Sequence, residues 1–142
     1  MRRTAIIPEF VESAPQELQD GVIYISDRFR TALHKCCCGC SREVVTPLNP
    51  VAWSYIREGE TVTFQPSIGN WSFPCKSHYL IIKNEVVWIG TMSARQIARV
   101  KARDARDQNA YIKRCNQEKL VATQKSTWIS TFLKKISRLW FS

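Results

Sequence analysis

The stretch HKCCCGCS, residues 34–41, places four cysteines within five positions of a 142-residue chain that has six in all. Side chains alternate along an extended backbone, so Cys36, Cys38 and Cys40 face one way and Cys37 the other. A disulfide between neighbours such as Cys36 and Cys37 would be strained, because adjacent Cα atoms lie closer than a bridge requires. These thiols therefore read as metal ligands or as buried packing groups. Which of the two they are decides what kind of β fold surrounds them.

Downstream, Pro74-Cys75-Lys76-Ser77-His78 offers a second ligand pair of the form Cys-x-x-His. Two turns, each contributing two soft or borderline donors, can close a tetrahedral Zn²⁺ site. The expected ligands are Cys38, Cys40, Cys75 and His78, with Cys36 and His34 as substitutes. Gly39 would let the first turn tighten beneath the ion, and Pro74 would stiffen the second. The competing structural reading makes the thiols small buried hydrophobes and the histidine a satisfied core group. Cys115, alone in a helical segment, reads as a packing or exposed thiol.

Around these turns the pattern is that of strands. GVIYIS, EVV, VAWSYI, TVTF, HYLII and EVVWI are short β-branched and aromatic runs between residues 21 and 89. Pro47, Asn49-Pro50, Glu58-Gly59, Pro66, Gly69-Asn70, Pro74 and Lys83-Asn84 punctuate them, and IREGETV and IIKNEVV read as hairpins. At Ser93 the grammar changes. Ser93-Ala94-Arg95-Gln96 has capping-box form and opens a helix of about 20 residues rich in Ala, Arg and Lys. The segment QEKLVATQKS weakens the helical pattern, and a second helix is expected from Thr127. The predicted organisation is an N-terminal arm over residues 1–20, a metal-binding β domain over 21–92 and a basic helical extension over 93–142. The fold class is mainly β with two C-terminal α-helices.

Charge is distributed unevenly. Residues 1–92 hold nine Lys/Arg and nine Asp/Glu, whereas residues 93–142 hold twelve and three, so the whole net charge of +9 belongs to the extension. An early apolar run is broken at Pro8 and Glu9, far short of a signal-peptide core. No apolar stretch approaches the roughly 20 residues that span a bilayer. The expected location is the cytoplasm, where clustered cysteines bind metal more often than they form disulfides.

His34, Cys36, Cys38, Gly39 and Cys40, followed by Ser67 to Trp71, Phe73 to Cys75 and Ser77 to Tyr79, resemble the two motifs of a bacterial family catalogued as a domain of unknown function. The resemblance covers about residues 7 to 89, and the chain departs from it in the extra Cys37 and in the basic extension after Trp88. Members of that family lie beside genes for bacterial ubiquitin-like conjugation. The resemblance thus implies a role in such a pathway, with antiviral defence among its expected settings. Implied partners are a ubiquitin-like protein and its activating or conjugating enzymes, and a metal is implied as cofactor. A looser similarity links CGCSREVVTPL and FPCKSHYLIIKNEVV to the two cluster-binding loops of Rieske domains, with Cys40 where a histidine would stand. It implies a Rieske-like or zinc-ribbon-like β domain, with Zn²⁺ favoured over an iron–sulfur cluster.

Catalysis has fewer signals. If only Cys38, Cys75 and His78 bound zinc, water could take the fourth place and Glu43 would be the nearest carboxylate to act as base. No His-x-Glu precedes Pro74-Cys75, which excludes the zinc deaminase arrangement. Ser67, Ser72, Ser77, Asn70 and His34 can be listed as nucleophile and base candidates, but their spacing favours serines in polar turns. In the extension, Trp128, Ile129, Phe132, Leu133, Ile136 and Trp140 fall on one helical face opposite Lys134, Lys135 and Arg138. That face is expected to dock on the chain's own β domain or on an acidic protein groove, with weak membrane-surface binding behind them. Arg95, Arg99, Arg103 and Arg106 form a basic stripe, but no nucleic-acid recognition motif accompanies it. The expected function is a zinc-binding accessory or interaction protein of a ubiquitin-like conjugation pathway. The alternatives are a zinc-dependent peptidase that processes or deconjugates the ubiquitin-like protein, and a Rieske-like electron carrier.

Overall fold

Strands form where the β-branched runs stand, and three further ones arise from pairing. In the computed structural model, residues 1–140 are described, with side chains to residue 138. β1 (Ile7–Phe10), β2 (Val22–Ser26), β3 (Thr31–Lys35) and β4 (Glu43–Pro47) form one sheet in that order. β1 is parallel to β2 and the other pairs are antiparallel. β5 (Ser54–Glu58) and β6 (Thr61–Gln65) form a hairpin, and β7 (Ile68–Gly69), β8 (His78–Ile82) and β9 (Glu85–Trp88) form a third sheet.

Both expected hairpins are present, each with turn residues suited to it. Gly59, at φ +63°, turns β5 into β6. Lys83 and Asn84 both have positive φ, the combination a two-residue type I′ turn requires between β8 and β9. Asn84 also ties this turn to β6, since its Oδ1 accepts from the Val62 N–H at 2.8 Å. Residues 3–6 join two sheets: the Ile6 N–H donates to Asn84 and the Val86 N–H to Thr4, while the following Ile7 pairs with Val22.

The alternation in β3 and β4 buries Ala32, His34, Val44 and Thr46 on one face. They join Ile6, Ile23, Ile25, Val62, Phe64, Ile68, Tyr79 and Ile81 in one core. Each fully buried aliphatic or aromatic side chain there contributes roughly 1.5–3 kcal/mol of transfer free energy. Cys36 and Cys37 belong to the same buried cluster, so the thiol-rich turn is anchored in the core.

The helical region departs from expectation. A single helix, α1 (Ala94–Trp140), replaces the two expected. Both arms of the capping box form at its start: Ser93 N–H to Gln96 Oε1 at 2.8 Å and Gln96 N–H to Ser93 Oγ at 3.3 Å. The helix runs on because residues 94–140 contain no Gly or Pro. Across the weak segment, the Thr123, Thr127 and Thr131 hydroxyls donate back to carbonyls four residues earlier, which satisfies them without opening the helix. The chain divides into two compact units, Met1–Ala102 and Arg103–Ser142. In the second, Trp128, Ile129, Phe132, Leu133 and Ile136 are exposed, and the Trp128 and Phe132 rings stack. The Trp140 side chain and residues 141–142 lie outside the described residues. Among the described residues, no helix is long and apolar enough to cross a membrane.

Candidate active site and thiol cluster

After β3 the chain turns back through residues 36–40. The Gly39 N–H donates to the Cys36 carbonyl at 3.1 Å, and the Cys36 N–H to the Arg42 carbonyl at 2.8 Å. Gly39 has φ +92°, and a Cβ there would come within 2.9 Å of the Met1 backbone nitrogen, so conformation and space both demand glycine. Cys75 arrives from the segment joining β7 to β8. The Sγ atoms of Cys36, Cys38, Cys40 and Cys75 all lie within 4.8 Å of one another. Three separations are 3.4, 3.9 and 4.0 Å. A tetrahedral ion bound at metal–sulfur distances of about 2.3 Å sets sulfurs about 3.8 Å apart, whereas a disulfide needs about 2.05 Å. The spacing therefore suits a shared ion.

Of the expected ligands, Cys38, Cys40 and Cys75 enter this cluster and the substitute Cys36 is the fourth thiol. Cys37 turns into the core with no exposure. His78 and His34 are engaged elsewhere. Burial raises the Cys36 thiol and pushes Cys38 up to about 12. Burial opposes the Cys75 thiolate too, but hydrogen bonds from Ser77, and after it from the Cys38 and Cys36 thiols, outweigh it and bring Cys75 down to about 7. One sulfur is thus ready to ionise first.

Behind the cluster runs a buried polar network. Ser77 Oγ lies 3.0 Å from Cys36 Sγ and accepts from Asn70 Nδ2 at 2.8 Å. The same amide reaches the Tyr79 hydroxyl at 3.4 Å, which meets His34 Nε2 at 2.7 Å. Burial lowers His34 to about 4 and raises Tyr79. Both groups are therefore neutral. Ser77 is only 6% exposed, and its Oγ partners among the described residues are Cys36, Asn70 and Cys75 rather than a histidine, so it is poorly placed to attack a substrate.

A second arrangement lies on the opposite face of the same strands. Gly69 is opposite His78 in the β7–β8 register, and Ser67, two residues earlier, shares their face. This diagonal sets Ser67 Oγ 2.9 Å from His78 Nε2. Trp71 packs edge-on against the imidazole with centroids 4.8 Å apart, and its indole occupies the space over Gly69. His78 Nδ1 is buried and has no partner among the described residues. A serine hydroxyl on an imidazole nitrogen at this distance is the nucleophile–base contact of covalent catalysis. The sequence pattern offers Ser67 as a nucleophile with His34 as its base and places His78 at the metal. The usable signal was the alternation in Ser67-Ile68-Gly69 and Ser77-His78-Tyr79, which keeps Ser67 and His78 off the core face once those segments pair.

Neither the curated proteins nor the solved structures yield a match. A family model described as bacterial ubiquitination-like system serine protease matches residues 10–89. This overturns the zinc-binding accessory or interaction role expected from the sequence, because the family is described as a serine protease. The peptidase alternative survives as a kind. The link to a bacterial ubiquitin-like conjugation system holds. With more than half of its length matched, the chain belongs to the BubE family of serine proteases of bacterial ubiquitination-like systems.

Proposed function

We propose that this protein cleaves a peptide or isopeptide bond of the ubiquitin-like protein in its system, with Ser67 as nucleophile and His78 as general base. The observation carrying this reading is the 2.9 Å contact between Ser67 Oγ and His78 Nε2 in a member of a serine protease family. His78 takes the hydroxyl proton as Oγ attacks the scissile carbonyl, then returns it to the leaving amine. Water hydrolyses the acyl-enzyme by the same route. Trp71 holds the imidazole edge-on, so the ring is oriented by packing, without a carboxylate on Nδ1 among the described residues.

The four thiols of Cys36, Cys38, Cys40 and Cys75 are assigned to one Zn²⁺, which suits their number, softness and spacing. An ion with four protein ligands supplies structural cross-linking, here between the turn after β3 and the segment carrying Cys75 and Ser77. His78 is then free for Ser67. The decisive experiment incubates the protein with the ubiquitin-like precursor of its system and labels it with a fluorophosphonate before peptide mapping. Modification of Ser67, together with loss of cleavage in Ser67→Ala and His78→Ala, is the expected result. Labelling of another serine, or full cleavage by Ser67→Ala, refutes the assignment.

A further inference from the structure

β4 and β7 are both edge strands. In β4, the Cys36 N–H to Arg42 and Leu48 N–H to Arg30 bonds fix which residues bond β3. Antiparallel pairs alternate between bonded and unbonded, so Val44 and Thr46 bond inward while the N–H and C=O groups of Glu43 and Val45 face the open edge. In β7, the Asn70 N–H to Ser77 bond sets the same parity, and the N–H and C=O of Gly69 point away from β8.

These two free edges face one cleft of about 310 Å³, lined by Glu43, Val45, Gly69, Trp53, Trp71 and Phe73 among others. No Cα of β4 comes within 8 Å of one in β7, so the edges are too far apart to pair with each other. A strand inserted between them needs edges roughly 10 Å apart, twice the strand spacing. A cleft of this volume takes a few residues of one chain, while a helix about 10 Å across does not fit. Ser67 stands just before β7, directly preceding Ile68 of the cleft lining and two residues before Gly69, and is not itself part of that lining.

Resting on the serine protease reading above, we infer that the cleft receives the substrate as an extended polypeptide segment, added as a strand along the β7 and β4 edges. Main-chain pairing to Gly69 and Val45 aligns the segment, and continuity along the edge brings its scissile bond to Ser67. The substrate class is therefore an unfolded, extended tail or linker, recognised mainly through its backbone.

Val45→Pro tests this directly. It deletes the outward N–H while sparing every bond to β3, and proline is tolerated on an edge whose N–H faces away from the ladder. The probe is a synthetic peptide of the last ten residues of the ubiquitin-like protein. With thermal unfolding confirming that the variant folds, its kcat/KM should fall at least fivefold, the effect of one lost hydrogen bond plus the ring's bulk. A value within twofold of the wild type overturns the inference. Independently, hydrogen exchange on Ser67→Ala should show the Val45 and Gly69 amides slowed by the peptide, and saturating peptide without such protection also overturns it. Fluorophosphonate labelling of the wild-type chain reports the Ser67–His78 pair separately. If labelling fails while the two amides are protected, the catalytic assignment falls and the docking edge stands.

Discussion

Gly69→Ala tests how the proposed base, His78, is oriented. Gly69 has ordinary backbone dihedrals, but a Cβ built on it would lie 2.3 Å from Cε2 and Cζ2 of the Trp71 indole. Ordinary contacts begin near 3.4 Å. The indole must therefore withdraw by about 1 Å, and it is the ring against which His78 rests at 4.8 Å. A displacement of about 1 Å in a catalytic group costs on the order of 100-fold in rate. Overpacking of this kind destabilises a fold by about 1–3 kcal/mol, so the variant should remain folded with a modestly lower melting temperature. The expected outcome is a kcat reduced by about two orders of magnitude through the displaced base, with KM free to rise as well because Gly69 and Trp71 also line the cleft. The assay pairs cleavage kinetics with tryptophan fluorescence, which reports whether the indole has moved. If the fluorescence shifts while kcat stays within threefold, Trp71 does not position the base and the reasoning fails.

Acidification should destabilise the fold through His34. Its pKa falls from 6.5 to about 4 on burial, so the unfolded chain binds the extra proton first. Stability is complete above pH 6.5 and declines as pH drops toward 4, by about 3 kcal/mol in total. In urea titrations of the metal-free chain, His34→Leu should flatten that slope, and an unchanged slope would exclude His34 as its source. Cys36→Ser and Cys75→Ser should each abolish stoichiometric zinc in elemental analysis, while Cys37→Ala should retain it and cost about 1–2 kcal/mol of stability from core packing. Equal zinc loss in Cys37→Ala would contradict the division of thiols drawn from the turn geometry. On the proposed structural role of the ion, chelation should lower the melting temperature, and activity should fall in step with unfolding rather than at temperatures where the fold persists.

Much of the β region is legible from local chemistry. Runs such as VIYIS and HYLII carry the branching and aromaticity that fill a pleated surface, and Lys83-Asn84 and Glu58-Gly59 supply their turns. β3, TALHK, escapes such a reading because only one of its five residues is β-branched. It exists because β2 and β4 pair with it on both sides and bury Ala32 and His34. The two-residue β7 is similarly invisible, being strand only through its register with Tyr79 and His78. The helix departs from its local pattern in the other direction. A stretch of weak periodicity looked like a break, yet without Gly or Pro nothing in the backbone interrupts it.

Read locally, HKCCCGCS already sets Cys37 apart from the other three thiols, although residues 37–40 form a turn and not the extended strand that two-residue alternation assumes. The capping box at Ser93 is legible locally too, its donors and acceptors being three residues apart. What the linear chain leaves open is the partner of each histidine. Both lie close in sequence to cysteines, and a spacing argument sends them to the metal. Only the antiparallel register of β7 against β8 turns His78 to Ser67 on the outer face, and only the core under β3 seals His34 against Tyr79. Pairing between distant segments decides which of two adjacent donors points in and which points out. The chemistry of this protein depends on that choice.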